Sequence, residues 1–361
     1  MSISISHNEI HFNSPKREII RKNTTVKNLN KEHHKVSSRS INYKSVRISL
    51  YEIFNGYLIP IENGGKIITD SSGKIIHNQI NNIYDNSIDN SNYPNPVNKD
   101  FKVEIINGTL IDLTSSGSSL FSFWLLEALP KLKLIEMHGK EFNSKVSILV
   151  NQKSKFVTET LELFGFSNLN LIIRNGAKTS FKADLLLCPR PIREKRYTPS
   201  WALEYIREKY KLEKTINPLK KIYISRNHSN GRRVINEEEF TGYLLKSGFQ
   251  ILYAEDYSSV EFSKLIDGAW IVISPHGAGL ANIIFANKGS NIIELYGAHY
   301  TDQYQLLALE LEQNYIAVEC ISEDGIYYND YNRNNYSVEY LNRKSFTVNL
   351  TEVTKLIESI Q

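Results

Sequence analysis

The 361-residue sequence has only two cysteines, Cys188 and Cys320. Two thiols make no disulfide framework, and a reducing compartment is expected. No apolar run approaches the ~20 residues of a membrane-spanning helix. The opening stretch MSISISHNEIHFNSPKREII lacks the continuous apolar centre of a secretory signal, so a cytoplasmic location is expected. Internal repeats are absent. Acidic residues are scarce at the start: residues 1–50 hold ten Lys and Arg against three Asp and Glu, within a chain of formal charge +4. Residues 1–45 read as a basic, solvated leader, partly disordered. Its sharper alternative is peripheral attachment to an anionic membrane surface. No nucleic-acid-binding motif or interleaved aromatic platform accompanies this charge, so no nucleic-acid partner is expected.

What is present is a strict alternation of strands and helices in the second half. Lys221–Ser225 (KIYIS), Phe249–Tyr253 (FQILY), Trp270–Ser274 (WIVIS), Asn291–Tyr296 (NIIELY) and Tyr315–Glu319 (YIAVE) are short apolar runs of strand type. Between them, Asn236–Lys246, the region of Val260–Ile266, Leu280–Ala286 and Thr301–Gln313 show helical spacing. Asn236 is suited to cap its helix, with Glu239 completing a box, and Gly248 ends it. Uninterrupted apolar strands in β–α alternation predict a parallel sheet covered on both faces. Ligands of such sheets sit at the carboxyl ends of the strands.

The most informative run is SPHGAGLANIIF, Ser274–Phe285, directly after the third of these strands. Gly277 and Gly279 let backbone N–H groups approach a ligand closely. A helix beginning there would aim its positive end at the same spot, which favours phosphate. His276 adds a donor that is neutral or cationic near neutral pH. The alternative is a tight turn without a ligand. Ser225 and Arg226 lie at another strand end, and Glu294 near the end of a fourth.

The first half is less regular. Strand-like pieces occur in Arg47–Ile61, Gly65–Asp70, Phe101–Leu113, Val146–Val150, Leu169–Ile173 and Leu185–Cys188. Helices are expected over Phe121–Met137 and Ser200–Lys211. Asn78–Asp100 reads as an exposed Asn-rich loop, and Asn217–Pro218 as a linker. The layout is a leader (1–45), a first α/β domain (46–214), a second domain (215–345) and an amphipathic C-terminal helix (346–361) that crosses back to the first domain.

The run ISRNHSNGRRVINEEEF from Ile224, followed by SPHGAGLANIIFANKGSNIIELYG, resembles the signature of family 61 glycosyltransferases. The matching positions are Ile224–Ser225–Arg226, Arg233, Asn236–Glu237, His276–Asn282 and Glu294. Phe123–Leu132 (FWLLEALPKL) resembles a second family segment. Two departures stand out: Phe123 where the family often has His, and Ala281 where Thr is common. The resemblance implies a GT-B-like α/β architecture, two Rossmann-like domains facing across a cleft. It implies inverting transfer from a nucleotide-diphosphate sugar, with UDP favoured, to a glycan or lipid-linked glycan acceptor. No metal or other cofactor is expected. The bacterial context would be capsule or lipopolysaccharide synthesis. Protein O-glycosylation and a non-catalytic nucleotide-sugar-binding subunit are the alternatives.

Under that reading the donor site is Ser225, Arg226, Arg233, Asn236, Glu237, His276, Gly277, Ala278, Gly279, Asn282 and Glu294. Arg226 and Arg233 would contact the diphosphate. His276 would cradle phosphate or the donor sugar, and Glu294 would accept from ribose hydroxyls. The base for the acceptor hydroxyl is expected from the first domain, at Glu127 or Asp112.

Overall fold

The computed structural model describes residues 7–12, 48–61, 65–79, 102–139, 145–167, 169–177, 179–193, 196–212, 220–328, 331 and 335–360. Most of the leader and of the Asn-rich stretch, and the Asn217–Pro218 linker, lie outside them. The chain is mixed α/β and divides into two compact units, the change falling between Lys209 and Tyr210.

The first unit is built on one nine-stranded sheet. Its strands are β1 (His7–Phe12), β2 (Ile48–Phe54), β3 (Tyr57–Pro60), β4 (Lys66–Thr69), β5 (Ile75–Gln79), β6 (Lys102–Asp112), β7 (Val146–Val150), β8 (Asn170–Ile173) and β9 (Thr179–Pro189). Asn78 thus lies within β5 instead of opening a loop. On one side β9, β6, β7 and β8 run parallel. On the other, β2 and β3 pair with β9 antiparallel, and β4 and β5 continue antiparallel. This antiparallel half departs from the all-parallel sheet of a Rossmann-like domain, while the β9-β6-β7-β8 half keeps it. The short link Asp70–Lys74 lets β4 and β5 pair as a hairpin, whereas parallel neighbours need helical crossovers.

The helix expected over Phe121–Met137 is broken. A single turn, α1 (Phe121–Phe123), passes into a π-turn at Trp124–Ala128, and α2 (Lys131–His138) begins after Pro130. The Leu129 N–H reaches back to the Trp124 carbonyl at 2.9 Å. Pro130 has no N–H to continue the helical ladder. Burial on several sides fixes the break: Trp124, Leu125, Leu126, Ala128 and Leu129 are all buried. Helices α3 (Lys155–Leu163) and α4 (Ser200–Tyr210) complete this part.

The second unit follows the sequence expectation closely. Strands β10 (Lys220–Ser225), β11 (Phe249–Tyr253), β12 (Ala269–Pro275), β13 (Asn291–Tyr296) and β14 (Asn314–Glu319) form a five-stranded sheet in the order β11-β10-β12-β13-β14. All four pairings are parallel. Helices α5 (Glu237–Lys246), α6 (Ser259–Ile266) and α7 (Gln303–Glu310) make crossovers. The chain order reverses between β10 and β12, so their carboxyl ends flank the switch point of a doubly wound sheet. All six residues of β13 are buried, as a strand covered on both faces requires.

Two local expectations change. Ala278–Phe285 is a 3-10 helix, not an α-helix. Asn236 makes no side-chain cap on α5; its amide bridges the backbone of Val348, donating to the carbonyl and accepting from the N–H, each at 2.9 Å. A capping box occurs instead on α6, between Ser258 and Glu261.

The ribbon β15 (Ile321–Ser322) and β16 (Phe346–Thr347) and helices α8 (Val338–Arg343) and α9 (Leu350–Glu358) close the second unit. The buried face of α9, Val353, Leu356 and Ile357, joins the core of Tyr223, Phe240, Ile273 and Phe346. Each such side chain contributes roughly 1.5–3 kcal/mol. This helix therefore packs against the core of its own unit.

Candidate functional site

The site is assembled at the carboxyl ends of β10 and β12. β10 ends at Ser225, whose hydroxyl donates to Glu237 at 2.8 Å. The Tyr223 hydroxyl donates to the same carboxylate oxygen at 2.7 Å. Glu237 is buried and so ties the strand end to the start of α5. The Ser274 hydroxyl donates to the Ile224 carbonyl at 3.0 Å, locking β12 to β10 where they part.

Arg226 follows Ser225 and is half-buried. Its guanidinium lies against Gly277, in the space that a β-carbon there would fill. The following loop turns back, with the Ser229 N–H on the Arg226 carbonyl at 2.9 Å. Gly231 then passes so close to Arg343 that a β-carbon would meet its backbone at 2.9 Å. This brings in Arg232, held in the left-handed region at φ 53°. Arg232 donates to the Asn342 side chain. Arg233, the arginine singled out by the motif, is exposed. Adjacent residues point in different directions, and here the inward one is Arg232.

The electrostatics agree with two converging cations. Burial lowers the Arg226 pKa, against the influence of Tyr304, Glu255 and Tyr223. Burial and then the charge of Arg226 push Arg232 down to about 10. The Nε groups of both arginines are buried and, among the described residues, without a hydrogen-bond acceptor. Burying a cation without a full set of acceptors costs several kcal/mol. An anion carrying several oxygens would remove that cost.

On the other side of Gly277, the His276 Nδ1 is hydrogen-bonded to Glu294 on β13. The second oxygen of Glu294 accepts from the Tyr315 hydroxyl on β14, which lies 3.3 Å from the Tyr300 hydroxyl. Glu294 is fully buried. Burial pushes its pKa up to about 8, against the hydrogen bond from Tyr315 and the charge of Arg232. Both carboxylate oxygens are engaged inside the protein, so the geometry makes Glu294 a support for His276, not an exposed ribose acceptor. The Tyr304 ring meets the His276 ring edge-on at 5.6 Å. Tyr304 also influences both arginines.

Ala278 and Gly279 are half-buried at the turn. The Asn282 side chain donates to the Gly279 carbonyl at 2.8 Å and holds the turn. Its Oδ1 is buried with no donor among the described residues. The motif residues at 225–226, 237, 276–279, 282 and 294 are thus brought together. Arg233 and Asn236 are placed elsewhere. Arg232 and Tyr304 were missed: their roles depend on a backbone twist and on helix α7, not on the motif.

Neither expected base presents an open carboxylate. Glu127, in the π-turn, accepts the Ile192 and Arg193 N–H groups at 3.1 and 2.8 Å, one on each oxygen. It anchors the loop after β9. Asp112 is fully buried at the end of β6. It pairs with Lys66 and accepts from the Thr114 N–H and hydroxyl at 3.0 and 2.6 Å. Its burial would raise its pKa, but Lys66, Lys131 and Thr114 more than offset this and hold it below the ordinary range. Phe123 lies under the Arg193 guanidinium, 5.3 Å from the ring centre.

Among the described residues no group of three or more His, Cys, Asp or Glu is placed to hold a metal ion, and no helix is long and apolar enough to cross a membrane.

A doubly wound sheet with cationic groups and a glycine turn at its switch point is the arrangement at which α/β sheets bind anionic ligands. The Glycosyltransferase 61 family model matches residues 121–293, just under half of the chain. The match begins at the segment containing FWLLEALPKL and runs through the HGAG turn, so the resemblance to family 61 glycosyltransferases holds over both units. The chain is also similar to protein O-linked-mannose beta-1,4-N-acetylglucosaminyltransferase 2 of Xenopus tropicalis, 29% identical over 131 residues. That match spans 34% of this chain and 23% of the relative, less than a quarter of its length.

Proposed function

We propose that the protein is a glycosyltransferase that takes its sugar from a nucleotide-diphosphate donor. The observation that carries this reading is Arg226 folded across Gly277 at the switch point, with Arg232 near enough for their charges to repel and the buried Nε groups of both unfilled. A departing nucleoside diphosphate gathers negative charge in the transition state, and preorganised guanidinium groups stabilise that charge without reorganising. His276, oriented by Glu294, supplies a further donor beside them. The family match over residues 121–293 supports the transferase class.

The rest of the proposal is finer. Transfer is inverting and metal-independent, with UDP as the favoured nucleotide. The second unit holds the donor and the first supplies the acceptor-binding residues. The protein works in the cytoplasm, peripherally at the membrane's inner face, on a glycan of capsule or lipopolysaccharide type. One observation favours a second reading, protein O-glycosylation: the similarity to the Xenopus enzyme, whose name describes transfer to protein O-linked mannose.

The test is release of nucleotide from UDP-, GDP- and CMP-sugars, with and without EDTA, by the wild-type chain and Arg226→Ala. Slow donor hydrolysis by the wild type, insensitive to EDTA and lost in the variant, is expected. Donor binding without hydrolysis or transfer to any glycan or glycoprotein acceptor would favour a binding subunit. No binding of any donor would overturn the reading.

A further inference from the structure

The arginines account for a diphosphate but leave the nucleoside without a site, because Glu294 is enclosed. The surface around the Arg226 loop holds groups of the missing kind. β10 and β11 run side by side, with Ser225 opposite Tyr253 in the register. Arg226 therefore begins its loop next to the end of β11. Within that loop, the Asn227 N–H donates to the Ser225 hydroxyl at 3.0 Å, and the Ser229 hydroxyl to the Arg226 carbonyl at 2.8 Å. The turn so fixed lays the exposed His228 ring on the half-buried Tyr253 ring. The ring centres are 4.4 Å apart and the planes 16° from parallel. Immediately after Tyr253, a 3-10 turn (Ala254–Asp256) carries Glu255. Glu255 is exposed, and its charge is felt by Arg226.

An aromatic platform, an exposed carboxylate and a diphosphate-type cation thus follow one another along the carboxyl edge of two adjacent strands. A flat heterocycle stacks on aromatic faces regardless of its sequence-reading edges. A carboxylate at a strand end accepts hydrogen bonds from vicinal ribose hydroxyls. We infer that His228, Tyr253 and Glu255 form the nucleoside subsite, which makes the ligand class a ribonucleoside diphosphate, with His228 on Tyr253 taking the base and Glu255 the ribose. This rests on the proposed diphosphate role of Arg226 and Arg232. It moves the ribose role from Glu294 to Glu255.

Glu255 also has an electrostatic consequence. Its negative charge near Arg226 works against a bare anion. Pyrophosphate should therefore bind less well than a nucleoside diphosphate, whose ribose makes use of the carboxylate.

The experiment is calorimetric titration of the full chain with pyrophosphate, with UDP, GDP and CDP, and with the 2′-deoxy form of whichever nucleotide binds best. The wild type, His228→Ala, Tyr253→Leu, Glu255→Gln and Arg226→Ala are compared, and circular dichroism melting reports folding of each. The best ribonucleotide is expected to exceed pyrophosphate by about tenfold or more, the scale of one stacked base. That ratio should fall towards one in His228→Ala and Tyr253→Leu. Glu255→Gln should lose the preference for ribose over 2′-deoxyribose while holding or raising pyrophosphate affinity. A ratio that stays unchanged in all three variants overturns the subsite. So does pyrophosphate binding with no nucleotide advantage in the wild type, which leaves the diphosphate reading standing. Loss of pyrophosphate binding only in Arg226→Ala supports that underlying reading. Binding of neither pyrophosphate nor nucleotide by the wild type overturns both.

Discussion

The Arg226 guanidinium lies against Gly277, where any side chain would begin. The pair explains why a glycine follows His276, for a reason separate from backbone strain. Position 277 must lack a side chain for Arg226, 51 positions earlier and just after another strand, to fold across it. Gly277→Ala should therefore displace the guanidinium while leaving the strands intact. Charged hydrogen bonds are worth about 1.5–3 kcal/mol each. Pyrophosphate or nucleoside diphosphate affinity should thus fall on the order of tenfold to a hundredfold, with the circular dichroism spectrum preserved. Unaltered affinity would show that Arg226 does not serve the anion.

Arg232 and Arg233 make a sharp comparison, being adjacent and alike in chemistry. Arg232 is close enough to Arg226 for their charges to repel, whereas Arg233 is exposed. Arg232→Met should weaken anion binding, and Arg233→Met should not. Removing a half-buried cation that repels its neighbour should leave the ligand-free melting temperature unchanged or higher. A marked fall in melting temperature for Arg232→Met would instead assign it a structural role through Asn342.

Much of the second unit was legible because parallel strands buried on both faces are continuous apolar runs, as in Phe249–Tyr253 and Asn291–Tyr296, whose limits match the structure. The site was legible only in part. Its sequence markers lie at strand ends, which apolar runs locate well. The direction of a side chain in a loop is set by backbone twist, so Arg232 at φ 53° was hidden behind Arg233. Asn236 looked like a cap, but its partner is Val348, 112 residues away in sequence. Glu294 looked like a free strand-end carboxylate until Tyr315 and His276 enclosed it. In the first unit, Glu127 and Asp112 have the residue type of a base but are consumed by partners that no local pattern announces.

Glu294 should leave a signature in the dependence of stability on pH. Its folded-state pKa is raised by burial from 4.5 to about 8. Between those values the folded protein holds a proton that the unfolded chain has released. This contribution to stability is fully present below about 4.5 and is lost as pH rises towards 8, with a slope of at most about 1.4 kcal/mol per pH unit. Glu294→Gln should flatten the decline, measured as the difference in urea midpoint between variant and wild type across this window. Tyr315→Phe removes a hydrogen bond that favours the carboxylate and should extend the decline to higher pH. Parallel stability curves for wild type and Glu294→Gln would contradict the burial of a titrating carboxyl beside His276.

The buried pair Lys66–Asp112, with Lys131 nearby, predicts the opposite slope in the first unit. Lys131 is fully buried and donates to the Thr114 carbonyl at 2.9 Å. Burial, reinforced by the charge of Lys66 and opposed by Glu127 and Asp112, pushes its pKa from 10.5 down to about 8. The unfolded chain therefore holds more protons than the folded one between about 8 and 10.5, and stability should rise with pH there. Lys131→Met should abolish that rise and cost little at neutral pH, because an apolar side chain of similar length takes the place of a buried cation. Asp112→Asn should behave differently: it strands Lys66 without its counter-charge and should cost about 3–5 kcal/mol. Denaturant titrations of the two variants across neutral to alkaline pH separate these outcomes. Equal losses would mean that the two lysines share Asp112 as one inseparable cluster; a persistent alkaline rise in Lys131→Met would assign the titration to another group.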